Sequence, residues 1–270
     1  MTNCVICRKQ FSFFENLTNR AIQRCKACDQ RLKQVQREMM AFVESQWQQQ
    51  GVFPQTRQHV SEQFVQLQMP ADLGTPVMQR IEYLIQLTDI RYGNIPRTAT
   101  SIHLDSDEYA HFEFRCVYFK PNKTIKEIPG RLVGTNKKCY FLSDSGSDSA
   151  TIDWNNVSQT YQQTLQVTQT FKKNGQKYTK TQAHQTLHVT VSRGSGGGDY
   201  EVDDILYTKT LMDTLVGQLA IELQTGEGSE RLRKNREQGE TLCTTHTTTP
   251  IRPSLRRQSH LMTVRLLAIA

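Results

Sequence analysis

Two cysteine pairs constrain this chain more than any other feature. Cys4-Val5-Ile6-Cys7 and Cys25-Lys26-Ala27-Cys28 are C-x2-C knuckles separated by 17 residues. The spacing fits the C-x2-C-x15–20-C-x2-C pattern of a structural zinc site. Two cysteines three positions apart in a tight turn place both sulfurs on one side, and two such turns complete a tetrahedral shell with Zn–S near ~2.3 Å. With Cys4, Cys7, Cys25 and Cys28 filling all four corners, no position is open to water, so the expected Zn2+ is structural rather than catalytic. Two alternatives stand beside it. A redox dithiol calls for a βαβ setting, and none is visible. A disulfide calls for a secreted chain, whereas Arg8, Lys9 and Asn3 interrupt the only apolar stretch that would serve as a signal sequence.

The chain has 270 residues, 37% of them hydrophobic, enough for a globular core and more than one domain. No apolar run approaches the ~18 residues of a membrane span, since Arg265 breaks the closing Leu261–Ala270 segment. Cys116, Cys139 and Cys243 are scattered, which suits a reducing compartment and a cytoplasmic location. Of the net charge of +7, the segment from Gln224 on contributes +4 (eight Lys/Arg against four Glu), leaving +3 for the remainder. The basic balance is thus concentrated in a tail and says little about nucleic acid.

Periodicity divides the rest. Leu32, Val35, Met39, Phe42, Val43 and Trp47 form one stripe of a helix predicted over about 29–50, stopped by Gly51 and Pro54. A second helix over 55–68 carries Val60, Phe64 and Leu67. A third is predicted to start with Thr75 as N-cap and Pro76 at its first position, with Val77, Ile81, Leu84, Ile85 and Thr88 on one side. After residue 100 the period drops to two. Strands are predicted over 110–119, on either side of a turn near Asn136-Lys137, over 151–157, and on both sides of Asn174-Gly175, a strong hairpin signal. A last short strand at Tyr200–Val202 leads to a helix capped by Asp203, with Leu211, Met212, Leu215, Val216 and Leu219 inward. About seven antiparallel strands followed by one helix describe a curved sheet whose open end the helix covers. The segment 224–270, Thr-rich and charged, reads as a disordered basic tail.

The segment Gly130-Arg-Leu-Val-Gly-Thr-Asn-Lys-Lys-Cys-Tyr-Phe-Leu142 resembles the G-x-L-x-x-T-x-x-R-x-x-F signature of bacterial PH-like and GRAM-type domains. Ile152-Asp-Trp154 to Val157 is similar to the strand that follows it, and Asp199-Tyr200 to Val216 to the closing Y-x-V-x-D and helix. Lys138 and Cys139 depart from the Arg and Leu common there. The whole arrangement resembles uncharacterised bacterial proteins that join an N-terminal C4 zinc knuckle, a helical linker and a PH-like domain. The resemblance implies an α+β chain: a small C4 zinc-binding module (1–30), a helical linker (31–96), and a PH-like antiparallel β-sandwich or barrel capped by a C-terminal helix (97–223). Such domains dock lipids, peptides or proteins and have no catalytic centre, though fold alone does not fix function.

Other candidates have plainer explanations. Lys120, Lys123 and Lys126, with Lys172, Lys173, Lys177 and Lys180, suit an anionic membrane but also suit exposed turns. His184 and His188 are four apart on a strand, ~13 Å, too far for one metal. Asp144 to Asp148 lacks the frame of a calcium loop, and Gly194 to Gly198 lacks the Lys-Ser/Thr of a P-loop. No Ser/His/Asp or Cys/His set is arguable, so no enzyme is expected. The expected function is an adaptor whose partner is another protein. The alternatives are nucleic-acid binding through the zinc module with Arg8, Lys9, Arg20, Arg24, Lys26, Arg31 and Lys33, and peripheral binding to anionic lipid through the lysine loops.

Overall fold

Helix α1 (Lys26–Gln49) starts inside the second cysteine pair. Cys25 is its extended N-cap residue, and Cys28 lies in its first turn. Leu32, Val43 and Trp47 are buried on the predicted stripe. The helix ends where Gly51, at φ +98°, donates its N–H to the Gln46 carbonyl (3.0 Å). A Cβ at residue 51 would lie 2.7 Å from Thr88 Cγ2, so both the left-handed backbone and the close approach require glycine. The computed structural model describes residues 3–12, 23–120, 125–173 and 176–225.

Helix α2 (Pro54–Gln66) buries Val60 and Phe64, and α3 (Ala71–Arg91) packs on both α1 and α2. The predicted start of α3 is corrected. It begins at Ala71, and Pro76 sits inside it rather than at its first position. The proline removes one backbone bond and crowds the Asp72 carbonyl one turn back, about 3 kcal/mol, which burial along the lengthened helix has to offset. The extra turn buries Leu73, about 2 kcal/mol. It also brings Gly74 so close to α2 that a Cβ there would meet Phe64 Cδ2 at 3.3 Å.

Seven strands follow, all antiparallel: β1 (Ala110–Lys120), β2 (Lys126–Thr135), β3 (Lys138–Ser143), β4 (Ala150–Asp153), β5 (Val157–Lys173), β6 (Gln176–Val191) and β7 (Gly198–Val202). They form one curled sheet, a half-barrel in the order β4-β3-β2-β1-β7-β6-β5, with β4 and β5 as its unpaired edges. β1 is its spine, pairing with β2 along most of its length and with β7 over Cys116–Phe119. The predicted strand at 151–157 is shorter. It stops at Asp153, whose carboxylate accepts the Asn155 N–H (2.9 Å) and starts a single 3-10 turn, Trp154–Asn156. That turn drops Trp154 into the core, where its indole N–H reaches the Thr135 carbonyl (2.8 Å). The Asn174-Gly175 turn falls outside the described residues, but the β5 and β6 pairing runs in continuous register from Gln159↔Thr190 to Lys173↔Gln176.

Helix α4 (Ile205–Thr225) closes the described fold. Its cap is Asp204, not the predicted Asp203: the Tyr207 N–H donates to Asp204 Oδ1 (2.9 Å), and the Tyr83 hydroxyl of α3 donates to the same carboxylate (2.7 Å). Leu211, Met212 and Leu215 of α4 are buried in one hydrophobic cluster with Val43, Trp47, Ile81 and Leu84 of the N-terminal helices and with Phe112, Leu132, Phe141, Trp154, Leu187 and Tyr200 of the sheet. The described residues all lie in one compact unit, Met1–Gly226. The expected boundary at residue 30 falls inside α1. From residue 226 on, the expected basic tail lies outside the described residues. Among the described residues no helix is long and apolar enough to cross a membrane.

Candidate metal centre

The first cysteine pair sits in a small reversal of the chain. Asn3 and Gln10 form an antiparallel bridge, the Cys4 N–H donates to the Lys9 carbonyl (2.8 Å), and the Arg8 N–H donates to the Cys4 carbonyl (2.9 Å). Arg8 takes a left-handed φ of +58° to make that turn. The Val5 N–H then reaches the Gln23 carbonyl (3.0 Å), which draws the second pair alongside. Cys25 and Cys28 are positioned by the first turn of α1.

The four sulfurs of Cys4, Cys7, Cys25 and Cys28 lie within 4.8 Å of one another, an arrangement that can hold a metal ion. Cys7 Sγ and Cys25 Sγ are 3.7 Å apart. A tetrahedron of sulfurs at ~2.3 Å from a central ion has edges of ~3.8 Å, so the donor set fits one. Cys4 and Cys25 are buried, Cys28 is half-buried, and Cys7 is open to solvent. The Cys25 N–H points at Cys4 Sγ (3.3 Å), a donor that steadies a thiolate. Burial acts to raise the Cys4 pKa, but backbone N–H groups of Cys7, Cys25 and Ile6 outweigh it and bring the thiol down to about 6. Burial and the neighbouring sulfurs push Cys28 up to about 12. Four thiolates cannot all ionise this close together without a cation, so metal uptake here displaces protons. Among the described residues, Phe11 and Ile6 supply the apolar cover around the sulfurs.

Arg24, one residue before the second pair, ties this centre to the helices. It is only 5% exposed. It forks onto Asp72 of α3 (Nη1 to Oδ1 3.0 Å, Nη2 to Oδ2 2.7 Å) while also donating to Asp29 (3.2 Å), which Lys33 contacts from the other side (2.7 Å). The guanidinium holds the Asp72 carboxyl below its ordinary range, and Lys33 and Arg24 do the same for Asp29. Both acids therefore contribute stability above about pH 4 that is lost as the pH falls through their lowered values. An Arg24→Ala variant is expected to lose about 2 kcal/mol locally, because Asp29 keeps only Lys33. Limited proteolysis would show it as earlier cleavage within residues 3–25, with the main melting transition unmoved. In the sequence Arg24 looks like any surface arginine; its acidic partner, 48 residues away, is brought to it by the fold.

The other candidates separate clearly. Of the basic residues around the cysteines, Arg24 and Lys33 are held by carboxylates, Arg8, Lys9, Lys26 and Arg31 are exposed, and Arg20 lies outside the described residues. Lys120 and Lys126 both contact Asp148 (3.0 and 2.6 Å), so the first lysine loop carries its own counter-ion; Lys123 lies outside the described residues. Asp148 is thus an ion-pair acid held down to about 2, and Asp144 receives Arg115 (3.0 Å), as befits a hairpin turn. His184 and His188, expected to face solvent, are half-buried instead. His184 Nδ1 lies 3.0 Å from Glu201, and His188 Nδ1 lies 3.1 Å from Asp199 with its ring on Tyr161 (4.8 Å). The curl of the sheet brings β7 acids beside these β6 histidines. Burial pushes the Cys116 thiol up to about 12 and raises Cys139 well above its ordinary value, so neither is a ready nucleophile. The sequence reading also missed Phe171 and Tyr178 as a pair, because they meet only through the hairpin register. Compared with protein-family models, curated proteins and solved structures, this chain gives no match.

Proposed function

We propose that this chain is a non-enzymatic adaptor in which Zn2+, bound by Cys4, Cys7, Cys25 and Cys28, organises the N-terminal piece, and the half-barrel with α4 is a PH-like docking domain for another protein in a reducing, cytoplasmic compartment. The observation that carries the reading is the closed four-sulfur shell: a metal with all positions taken by thiolates holds a fold together and offers no site for a substrate. All-sulfur tetrahedral coordination suits zinc, although iron shares that preference. The strand order, with one amphipathic helix against the sheet, supports the PH-like assignment and the kinship with bacterial PH-like and GRAM-type domains.

The interior of the half-barrel is filled by Trp154, Tyr200, Phe141 and Leu132, so partners meet its rim, edges and outer face. A cavity of about 300 Å³ beside α4 is lined by Arg97, Tyr109, His111 and Asn136, among others, and by no carboxylate or thiol. Burial holds the His111 pKa down, and its Nδ1 is engaged by the Pro96 carbonyl (2.8 Å), which leaves that cavity without an acid–base pair. Elemental analysis of the full chain, purified without added metal, tests the centre: one zinc per chain is expected, and iron or no metal would overturn it. Co-purification with nuclease added tests the partner: a stoichiometric protein that survives nuclease supports the adaptor, and loss of every partner on nuclease treatment contradicts it.

A further inference from the structure

The β5–β6 hairpin extends past the body of the sheet. Only Leu187–Val189 of β6 pair with β7, whereas β5 and β6 pair with each other out to Lys173↔Gln176. The last fixed contact along the outward ribbon joins Gln169 to Glu127 at the start of β2 (2.6 Å). Beyond it, Thr170 and Phe171 on one strand and Gln176 to Thr179 on the other are exposed. Phe171 and Tyr178 are register partners. Their rings lie 6.5 Å apart, nearly parallel at 18°, and they remain 46% and 43% exposed. Lys180 is exposed on the same face, two positions from Tyr178, and Lys177, exposed in the next rung outward, alternates to the opposite face. From Val157 to Val191 the hairpin carries four lysines and no carboxylate. Thr168, Thr170, Thr179 and Thr181 line its exposed opposite face, and the carboxylate of Glu127, held by Gln169, is the acid beside the outward ribbon among the described residues.

We infer that this ribbon tip binds single-stranded nucleic acid, with bases stacked on Phe171 and Tyr178 and phosphates met by the lysines. Two nearly parallel, half-exposed rings give a stacking surface that accepts any base, and nearby ammonium groups neutralise the backbone. An acidic peptide would use the charge but not the ring faces. An anionic membrane fits worse: the Lys172↔Lys177 and Lys173↔Gln176 rungs lie beyond the aromatic rung, so charge rather than rings would meet the bilayer first. The inference concerns a surface away from the metal centre and does not depend on the adaptor reading.

The test uses the zinc-loaded full chain and fluorescence anisotropy with labelled oligo-dT, oligo-rU, the matching duplex, and phosphatidylserine vesicles as a competitor. Wild type is expected to bind the single strands, with log K falling against log[salt] at a slope of about −2 to −3, as about four phosphates predict. Phe171→Ala with Tyr178→Ala is expected to weaken binding about tenfold or more while leaving the salt slope in place. Lys177→Gln with Lys180→Gln should flatten that slope by about 1 to 1.5. Circular dichroism and melting of both variants should match wild type, since these side chains are exposed. No single-strand binding at low salt, equal or tighter binding of the duplex, complete competition by vesicles, or an unchanged affinity in the aromatic variant would each overturn the proposal. So would loss of binding in Arg8→Glu with Lys9→Glu while the ribbon variants bind normally.

Discussion

Replacing Cys25 by serine is expected to abolish metal binding and to release the chain reversal at residues 3–12 from α1, while the helices and half-barrel keep melting as one unit. The substitution isolates the sulfur. Serine is among the best N-cap residues, so the start of α1 at Lys26 loses nothing by the change. What disappears is one of four donors and the group that lies 3.7 Å from Cys7. Even indirect supports of a metal ligand are worth about 10–100-fold in affinity, so a direct ligand is expected to cost about 1,000-fold. Without the ion the module loses the term that structural zinc supplies in small modules of this kind, ~10–16 kcal/mol. The measurements are zinc stoichiometry, falling from one to none, and rapid proteolysis confined to residues before α1. Beyond Leu32 the helix is held by Val43 and Trp47 in the common core, so the main transition should shift by only a few degrees. Collapse of that transition would mean the ion also holds the half-barrel together. An unchanged metal content would refute the ligand set.

The second large effect is expected from Gly130→Ala. A Cβ at residue 130 would lie 2.3 Å from the Leu142 carbonyl oxygen and 2.8 Å from Phe141 Cε2. The carbonyl belongs to the neighbouring strand, in the stretch where Gly130 pairs with Ser143 and Arg131 with Leu142, so relief requires shifting β3 against β2. Overpacking of this kind costs about 3 kcal/mol, which in a protein of this size lowers Tm by about 10 °C. Gly134 is expected to behave alike, because a Cβ there would lie 2.1 Å from Phe112 Cε1, and Phe112 is buried and stacked on Phe114. Gly217→Ala is the control. Nothing lies within 4 Å of its added Cβ, and alanine favours a helix over glycine by about 1 kcal/mol. Calorimetry or thermal circular dichroism should therefore show Gly130→Ala well below wild type and Gly217→Ala at or slightly above it.

Much of this architecture was readable from local chemistry. The cysteine spacing named the four residues whose sulfurs converge, because ligand geometry acts within two short turns. Period-two alternation placed the strands, and the stripe through Leu32, Val43 and Trp47 placed the first helix, since each pattern reports a face that must be covered. Gly51 ended α1 as expected, because a positive φ is a property of the residue itself.

The rest was settled by contacts between segments distant in sequence. Leu73 and Gly74 lengthened α3 past its proline because α2 offered Phe64 to pack against. Trp154 turned a strand end into a 3-10 step because the core had room for an indole beside the Thr135 carbonyl. Arg24 became a buried tether only when α3 supplied Asp72, and Phe171 met Tyr178 only through the register of a long hairpin. Local periodicity tells which face of a segment is covered but not by what. Local chemistry therefore indicated most of the elements, the four converging sulfurs and a curved sheet closed by a helix, whereas the strand order, the shared core and the outward reach of the β5–β6 ribbon follow from pairings that only tertiary packing selects.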